Sequence, residues 1–228
     1  MKISVVTPWA GSTAFLLPAY REVVRGFDEV VVVDNACDEE TSRALAETGW
    51  VHVRNERNEG FAGGSNQGYA RARGDVVVFL NSDVFMSGDL AAAVRRVRQG
   101  EWSEALLGPS IATQMVWGMR VRYLDGFCVA GSRGTWDRLM LMSGTCGPYG
   151  PWDAIRYPGP YWEDCDLSFR AMQAGIELVQ AGWPVGHIGG QTAGDVSRHG
   201  ASYERNRATF AASVEPWWRE RLAQTEED

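Results

Sequence analysis

The sequence predicts an α/β protein built on a mostly parallel sheet with helices on both faces. Three observations carry this expectation. Apolar, β-branched runs ("KISVVTP" at 2–8, "DEVVVVDNA" at 28–36, "DVVVFLNSD" at 75–83) alternate with stretches of helical spacing. Strands buried on both faces read as such continuous hydrophobic runs. Each run ends on polar residues, namely Thr7-Pro8, Asp34-Asn35 and Asn81-Ser82-Asp83, and open parallel sheets bind ligands at the carboxyl ends of their strands. The 228 residues also include 26 glycines, which favours a loop-rich α/β chain over a helix bundle.

Taken in order, the first strand stops at Pro8. A helix follows over 12–27, with Leu16, Leu17, Tyr20, Val23 and Val24 at helical spacing and Pro18 in its first turn. The strand at 28–36 leads to a helix over 38–49, capped by Asp38 and closed by Gly49. A short strand, 51–56, and a glycine-opened helix, 63–74, precede the strand at 75–83. An amphipathic helix is expected over 88–100, and strands within "SEALLGPSI" (103–111) and "RVRYLDGFCVAG" (120–131). "WEDCDLSFRAMQAG" (162–175) reads as a helix with an acidic start and an apolar face of Leu167, Phe169 and Met172. A strand and turn at 176–189 carry His187, and a closing helix at 203–223 is expected to break near Pro216. Trp117, Trp136 and Met140 are assigned to the core.

The bulk properties exclude several classes. The net charge is −7, so the chain gains nothing from counterion release and general nucleic-acid binding is unexpected. Cys37, Cys128, Cys146 and Cys165 show no CxxC spacing and read as reduced thiols. No apolar run approaches a membrane span, and the short apolar stretch at the N-terminus reads as a strand, not a signal peptide. The expected location is the cytoplasm, including a peripheral position at a membrane. The tail "AQTEED" reads as solvated, and two tryptophans in "SVEPWWRERL" offer a contact surface or a cover for the sheet.

The polar strand ends raise a chemical question. Asp34 and Asp83 each suit a helix cap when taken singly, yet both fall at one edge of one sheet. The glycine-rich "NEGFAGGSNQG" (58–68) opens a helix and would let backbone N–H groups approach a bulky or anionic ligand. It is neither a GxGxxG fingerprint nor a Walker A loop. Glu163, Asp164 and Asp166 crowd a helix start beside Tyr161 and Trp162, beyond what the helix dipole requires.

The order "VVVVDN", "NEGFAGGSNQGYARARGDVVVFLNSDV", "WEDCDLSFRAMQAG" and then a histidine resembles the family 2 glycosyltransferases over residues 1 to about 210. The nearest likeness is to the branch of bacterial rhamnosyl- and galactofuranosyltransferases. The resemblance implies a GT-A fold, a Rossmann-like mostly parallel sheet flanked by helices. It implies one domain over 1–228, with a nucleotide-sugar-binding half at 1–100, an acceptor and catalytic half at 101–210, and a closing helix and tail at 203–228. By the same resemblance Asp83 and His187 hold a divalent metal, Mn²⁺ or Mg²⁺. Thr7, Pro8, Asp34, Asn35, Gly63, Asn66, Asn81 and Ser82 contact the nucleotide sugar, a UDP, dTDP or GDP donor. Trp9 stands where relatives carry another aromatic and is assigned to stacking on the base. Asp164 is the general base toward an acceptor hydroxyl and Glu163 supports it. Asp166 and Arg170 fix the helix. Asp153, Tyr161 and Trp162 are assigned to the acceptor, and Trp152 and Tyr157 either join that platform or pack in the core. The implied reaction is inverting, metal-dependent transfer of one sugar per acceptor. The rival is a weak or inactive sugar-nucleotide-binding protein. A nucleotidyltransferase or a methyltransferase would need a strand-one loop that "TPWAGSTAF" lacks.

Overall fold

The computed structural model describes residues 1–97, 102, 104–142, 150–189 and 196–225. Cys146, the end of the helix expected over 88–100 and the last acids of the tail lie outside them. The first half follows the expected order: β1 (Ile3–Trp9), α1 (Leu17–Val23), β2 (Glu29–Asn35), α2 (Glu39–Ala46), β3 (Val51–Asn55), α3 (Gly60–Arg71) and β4 (Val76–Leu80). Its signals work as local chemistry dictates. Pro18 sits at the start of α1. The Asp38 carboxylate accepts the Thr41 N–H at 2.8 Å and so caps α2. Gly49, at φ 79°, takes the left-handed turn after that helix.

The second half comprises β5 (Val84–Met86), α4 (Leu90–Arg95), β6 (Ala105–Gly108), β7 (Ile111–Val116), β8 (Met119–Leu124), β9 (Cys128–Ser132), α5 (Arg133–Met142), α6 (Glu163–Gln173), β10 (Glu177–Gln180), β11 (Val185–His187) and α7 (Val196–Thr225). Seven strands form the main sheet in the order β10-β6-β9-β4-β1-β2-β3, and two ribbons, β5–β11 and β7–β8, stand apart. The β3, β2, β1 and β4 neighbours run parallel, whereas β9 runs antiparallel to both β4 and β6.

That reversed strand positions the site. Leu80 pairs with Cys128, so the chain entering β9 lies beside the chain leaving β4. The Asn81 N–H donates to the Phe127 carbonyl at 2.8 Å and locks the two segments together.

The core divides by the strand period of two. Ile3, Val5, Val32, Val76, Val78 and Leu80 pack on one face with Leu17, Tyr20 and Leu45. Val6, Val31, Val77 and Phe79 pack on the other with Trp136, Trp152 and Leu167. The α3 glycines belong to this packing. A Cβ at Gly68 would lie 2.3 Å from Val6 Cγ1, and one at Gly64 would lie 2.7 Å from Asn35 Nδ2. The expectation that these glycines open the loop to a ligand is therefore corrected: they let α3 descend onto β1 and β2.

Other expectations also differ. α5 was not anticipated. Its Gly134, Thr135 and Trp136 are weak helix formers, but Trp136 is fully buried and donates to the Val77 carbonyl at 3.1 Å. "RVRYLDGFCVAG" holds two strands, split at Asp125–Phe127. Trp117 is 62% exposed at the β7–β8 turn and is not core. Met172 is exposed. α7 runs through Pro216 without a break, and Trp217 packs edge-on against Phe169 at 5.5 Å. That contact, with Phe210 and Val214 in the same cluster, outweighs the hydrogen bond that proline forfeits. Cys37, Cys128 and Cys165 are free and buried.

Candidate active site

Two clusters of side chains meet at the carboxyl edge of β4. The first is built by the β5–β11 ribbon, which pairs Val84 with His187. His187 thereby returns to the residue before Val84. Its Nε2 lies 2.9 Å from Asp83 Oδ1 and 3.1 Å from Asn81 Nδ2. Phe127 stacks on the imidazole, with ring centres 5.1 Å apart and planes 8° from parallel. Asp83 is 1% exposed, and Asn81 Oδ1 is buried with no hydrogen-bond partner. One imidazole nitrogen cannot accept from Asn81 and donate to Asp83 at once.

The second cluster stands at the start of α6. Tyr161 and Trp162 precede it with φ of 78° and 74°, a left-handed conformation that is costly for side chains of this size. Asn206 of α7, fully buried, holds that turn: its amide donates to the Tyr161 and Pro160 carbonyls at 2.9 and 3.2 Å. Asp164 Oδ1 accepts the Cys165 N–H at 2.8 Å and Oδ2 the Gly126 N–H at 3.2 Å. A Cβ on Gly126 would lie 3.1 Å from Asp164 Cβ, so only glycine allows this approach without a shift. Burial, and then the charge of Asp125, push the Asp164 carboxyl up to about 6. Burial, and then Asp164, push Glu163 well above the usual carboxylate range. Glu163 Oε2 has no hydrogen-bond partner.

Both clusters line one cavity of about 350 Å³. A second pocket of about 130 Å³ opens beside it and shares Phe61, Asn81 and Pro160 with the first. Of the residues singled out in the sequence, Asn81, Asp83, Tyr161, Trp162, Glu163, Asp164 and His187 border the larger space. Pro8, Asn35, Asn81 and Ser82 border the smaller.

The others are not brought to the cleft. The Thr7 hydroxyl turns into the core and pairs with the Tyr20 hydroxyl. Asp34 is fully buried, and its two oxygens accept the Cys37 N–H and the Ser42 hydroxyl. Burial opposes its ionisation, yet those hydrogen bonds hold its carboxyl below the usual range. It staples the loop after β2 and leaves no oxygen directed at the cleft lining. A Cβ on Gly63 would lie 3.0 Å from the Cβ of Glu59, the residue that precedes α3. The Asn66 amide spends both ends on Trp152, donating to its carbonyl at 2.7 Å and accepting its N–H at 3.0 Å. Asp153 is buried in an ion pair with Arg156 at 2.6 Å, not in an acceptor position. Trp152 and Tyr157 are core residues. Trp9 borders the smaller pocket but is fully buried, edge-on to Tyr20 at 5.4 Å. Asp166 and Arg170 pair at 2.7 Å within α6, as expected of helix-fixing residues.

Gln114, Tyr123, Asp125, Gly126, Phe127 and Tyr203 also line the cavity. The Asp-Gly pair at 125–126 is a turn signal that would have separated β8 from β9 and exposed an acid beside the site. Asn206 carries no local signal, because its role depends on a turn 45 residues earlier.

The mixed, mostly parallel sheet flanked by helices, with the site at its carboxyl edge, is the GT-A fold. Residues 4–124 match the profile of glycosyl transferase family 2, and the chain belongs to that family of glycosyltransferases. YfnE of Bacillus subtilis (strain 168), an uncharacterised glycosyltransferase, is 32% identical over 84 residues, covering 35% of this chain and 21% of that protein. Among solved structures, the glucosyl-3-phosphoglycerate synthase of Mycobacterium tuberculosis, in complex with Mn²⁺, UDP and phosphoglyceric acid, superposes with a TM-score of 0.61 at 19% identity over 92% of this chain and 78% of that one. The mannosyltransferase PcManGT of Pyrobaculum calidifontis, in complex with GDP-Man and Mn²⁺, gives 0.57 at 19% identity, over 78% of this chain and 54% of the other. The chain thus spans about half of PcManGT, and the segment it shares with YfnE is about a fifth of that protein. Among the described residues no helix is long and apolar enough to cross a membrane.

Proposed function

We propose that the protein transfers a sugar from a nucleoside diphosphate donor to an acceptor hydroxyl, with inversion at the anomeric carbon and with a divalent cation. The observation that carries this reading is one cavity bordered both by Asn81, Asp83 and His187 and by Glu163 and Asp164. The chain's first half would then hold the donor and its second half the acceptor.

The donor set fits a cation. A buried carboxylate and an imidazole nitrogen meet, the Asn81 amide stands beside them with its oxygen unpartnered, and a cation held by Asp83 and His187 would remove the conflict over the protons at Nε2, with Asn81 as a further ligand once its amide turns its oxygen inward. Mixed oxygen and nitrogen ligands suit Mn²⁺, the ion found with both structural relatives. When bound, it would neutralise the diphosphate leaving group. Pro8, Asn35 and Ser82 would border the nucleotide, and the unpartnered Ser82 hydroxyl would serve it as a donor or acceptor.

Asp164 acts as the base. Two backbone N–H groups fix its carboxylate, and each oxygen keeps a lone pair for an acceptor hydroxyl. A single base on the face opposite the leaving group implies direct displacement and inversion. Ionised Asp164 is required, so kcat/KM should fall on the acid side with a midpoint at about 6. A pH–rate profile with its acid limb near 4 would show instead that the base is a solvated carboxylate.

The first test is thermal stabilisation by UDP, dTDP and GDP, each with Mn²⁺ and with EDTA. The correct nucleotide at a hundredfold excess over its Kd should add about 2.7 kcal/mol. Chelation or Asp83→Ala should remove most of that gain. Stabilisation indifferent to metal would sink the cation assignment, and none with any nucleotide would sink the donor site.

A further inference from the structure

The cavity is also lined by Gln114 of β7, Tyr123 of β8, Tyr203 of α7 and the Tyr161–Glu163 turn. Its charge is one-sided. Asp83, Asp125, Glu163 and Asp164 line the cavity, and among the described residues no lysine or arginine does. Its remaining surface is aromatic and hydrogen-bonding. Tyr203 stands edge-on to both Tyr161 and Trp162, with ring centres 5.7 Å apart in each case. Glu163 is 9% exposed, and its Oε2 lacks a partner.

We propose that this wall of the cavity accepts an uncharged, hydroxyl-bearing sugar and refuses phosphorylated or carboxylated acceptors. The proposal rests on the glycosyltransfer reading and names the acceptor class for it. Three features support it. The aromatic rings of Tyr161 and Tyr203, backed by the buried Trp162, offer apolar surface to the C–H face of a sugar ring. Glu163, Gln114 and the phenol of Tyr123 offer both hydrogen-bond donors and acceptors to hydroxyls. Burial, and then Asp164, raise Glu163 well above the usual carboxylate range and so favour its hydrogen-bond-donating form, and burial pushes Tyr123 up to about 12, so the phenol remains a donor at neutral pH. An anionic acceptor would instead meet Asp125 and Asp164 with no lysine or arginine among the described lining residues to offset them. The donor's diphosphate escapes this penalty because its charge would be met by the cation proposed at Asp83 and His187. Like charges juxtaposed in a desolvated site lower affinity by on the order of 100-fold or more.

Saturation-transfer NMR on the full chain tests this, with Mg²⁺ and whichever nucleotide stabilises the protein. One probe pool holds neutral methyl glycosides of glucose, galactose, mannose and rhamnose. The other holds glucose 6-phosphate, mannose 6-phosphate and glucuronic acid. The expected result is saturation of the neutral pool, its loss in Tyr203→Ala, and none for the anionic pool. Gln114→Arg should then admit the sugar phosphates if charge is the reason for their exclusion. Equal or stronger saturation of the anionic pool by the unmodified protein overturns the proposal, as does silence from both pools. Nucleotide stabilisation in the same samples separates the two failures. If it persists, only the acceptor class falls; if no nucleotide binds, the glycosyltransfer reading falls and takes this inference with it.

Discussion

Asp164→Asn should abolish sugar transfer while leaving the fold and the nucleotide site intact. The loss expected from removing a general base is about 10²–10⁴-fold in kcat. Asparagine keeps an oxygen for the Gly126 or Cys165 N–H, so the helix start should hold. Stability should move the other way. The fold raises the Asp164 carboxyl to about 6, above its ordinary unfolded value of about 3.9. Ionised Asp164 therefore counts against the folded state above about pH 6, and the penalty fades as pH falls from about 6 to the unfolded value, below which it is gone. Asparagine carries no such penalty. At pH 8 the variant should melt at the same temperature as the parent or higher, and calorimetry with turnover assays checks both halves. A variant that keeps turnover would move the base to another residue. A variant that loses both turnover and several degrees of stability would mark Asp164 as structural.

Asp166→Ala should have the largest effect on stability. Asp166 is 1% exposed and joins two arginines, Arg170 at 2.7 Å and Arg156 at 2.9 Å. Arg156 also holds Asp153 and donates to the Ser213 hydroxyl on α7. Arg170 reaches the Leu139 and Pro151 carbonyls. The network ties α5, α6, α7 and the 150–156 segment around the cavity wall. Removing the shared acid strands a buried guanidinium, at a cost of about 3–5 kcal/mol. That is a large share of the roughly 5–15 kcal/mol that holds a domain together. The exposed Arg57–Glu59 pair makes the control: at 2.7 Å it is equally short, but Arg57 is 83% exposed, so Arg57→Ala should cost less than about 1 kcal/mol. Urea unfolding of the two variants gives the comparison. A similar small loss in both would show that water reaches the Asp166 site.

The parallel half of the sheet was legible because its information is local. Val30–Val33 and Val76–Leu80 are apolar over lengths that only a doubly covered strand explains. Asp38 and Gly49 mark their helix ends by turn chemistry that acts over a few residues. The acids at 163, 164 and 166 and the Asn81–Asp83 run likewise stood out by type and spacing. What misled was a side chain's direction. Asp34 and Asn66 have the composition expected of ligand contacts, but Asp34 turns to Ser42 and Asn66 to the Trp152 backbone. Periodicity says which face of a strand a residue occupies. It does not say whether a strand-end residue bends toward the cleft or back under its own loop.

Residue type and local spacing were thus sufficient for the fold class, the family and the two acidic clusters. The meeting of those clusters was decided by long-range pairing. Asp83 and His187 are 104 residues apart and touch because β11 pairs with β5. Gly126 reaches Asp164 because β9 runs against β4 and delivers its entry loop to the sheet's carboxyl edge. Asn206 grips the turn before Glu163 because α7 packs Phe210 and Val214 into one cluster with Trp162 and Phe169. Each of these contacts is stabilised by partners distant in the chain, so no window of sequence around any one residue contains the interaction that places it.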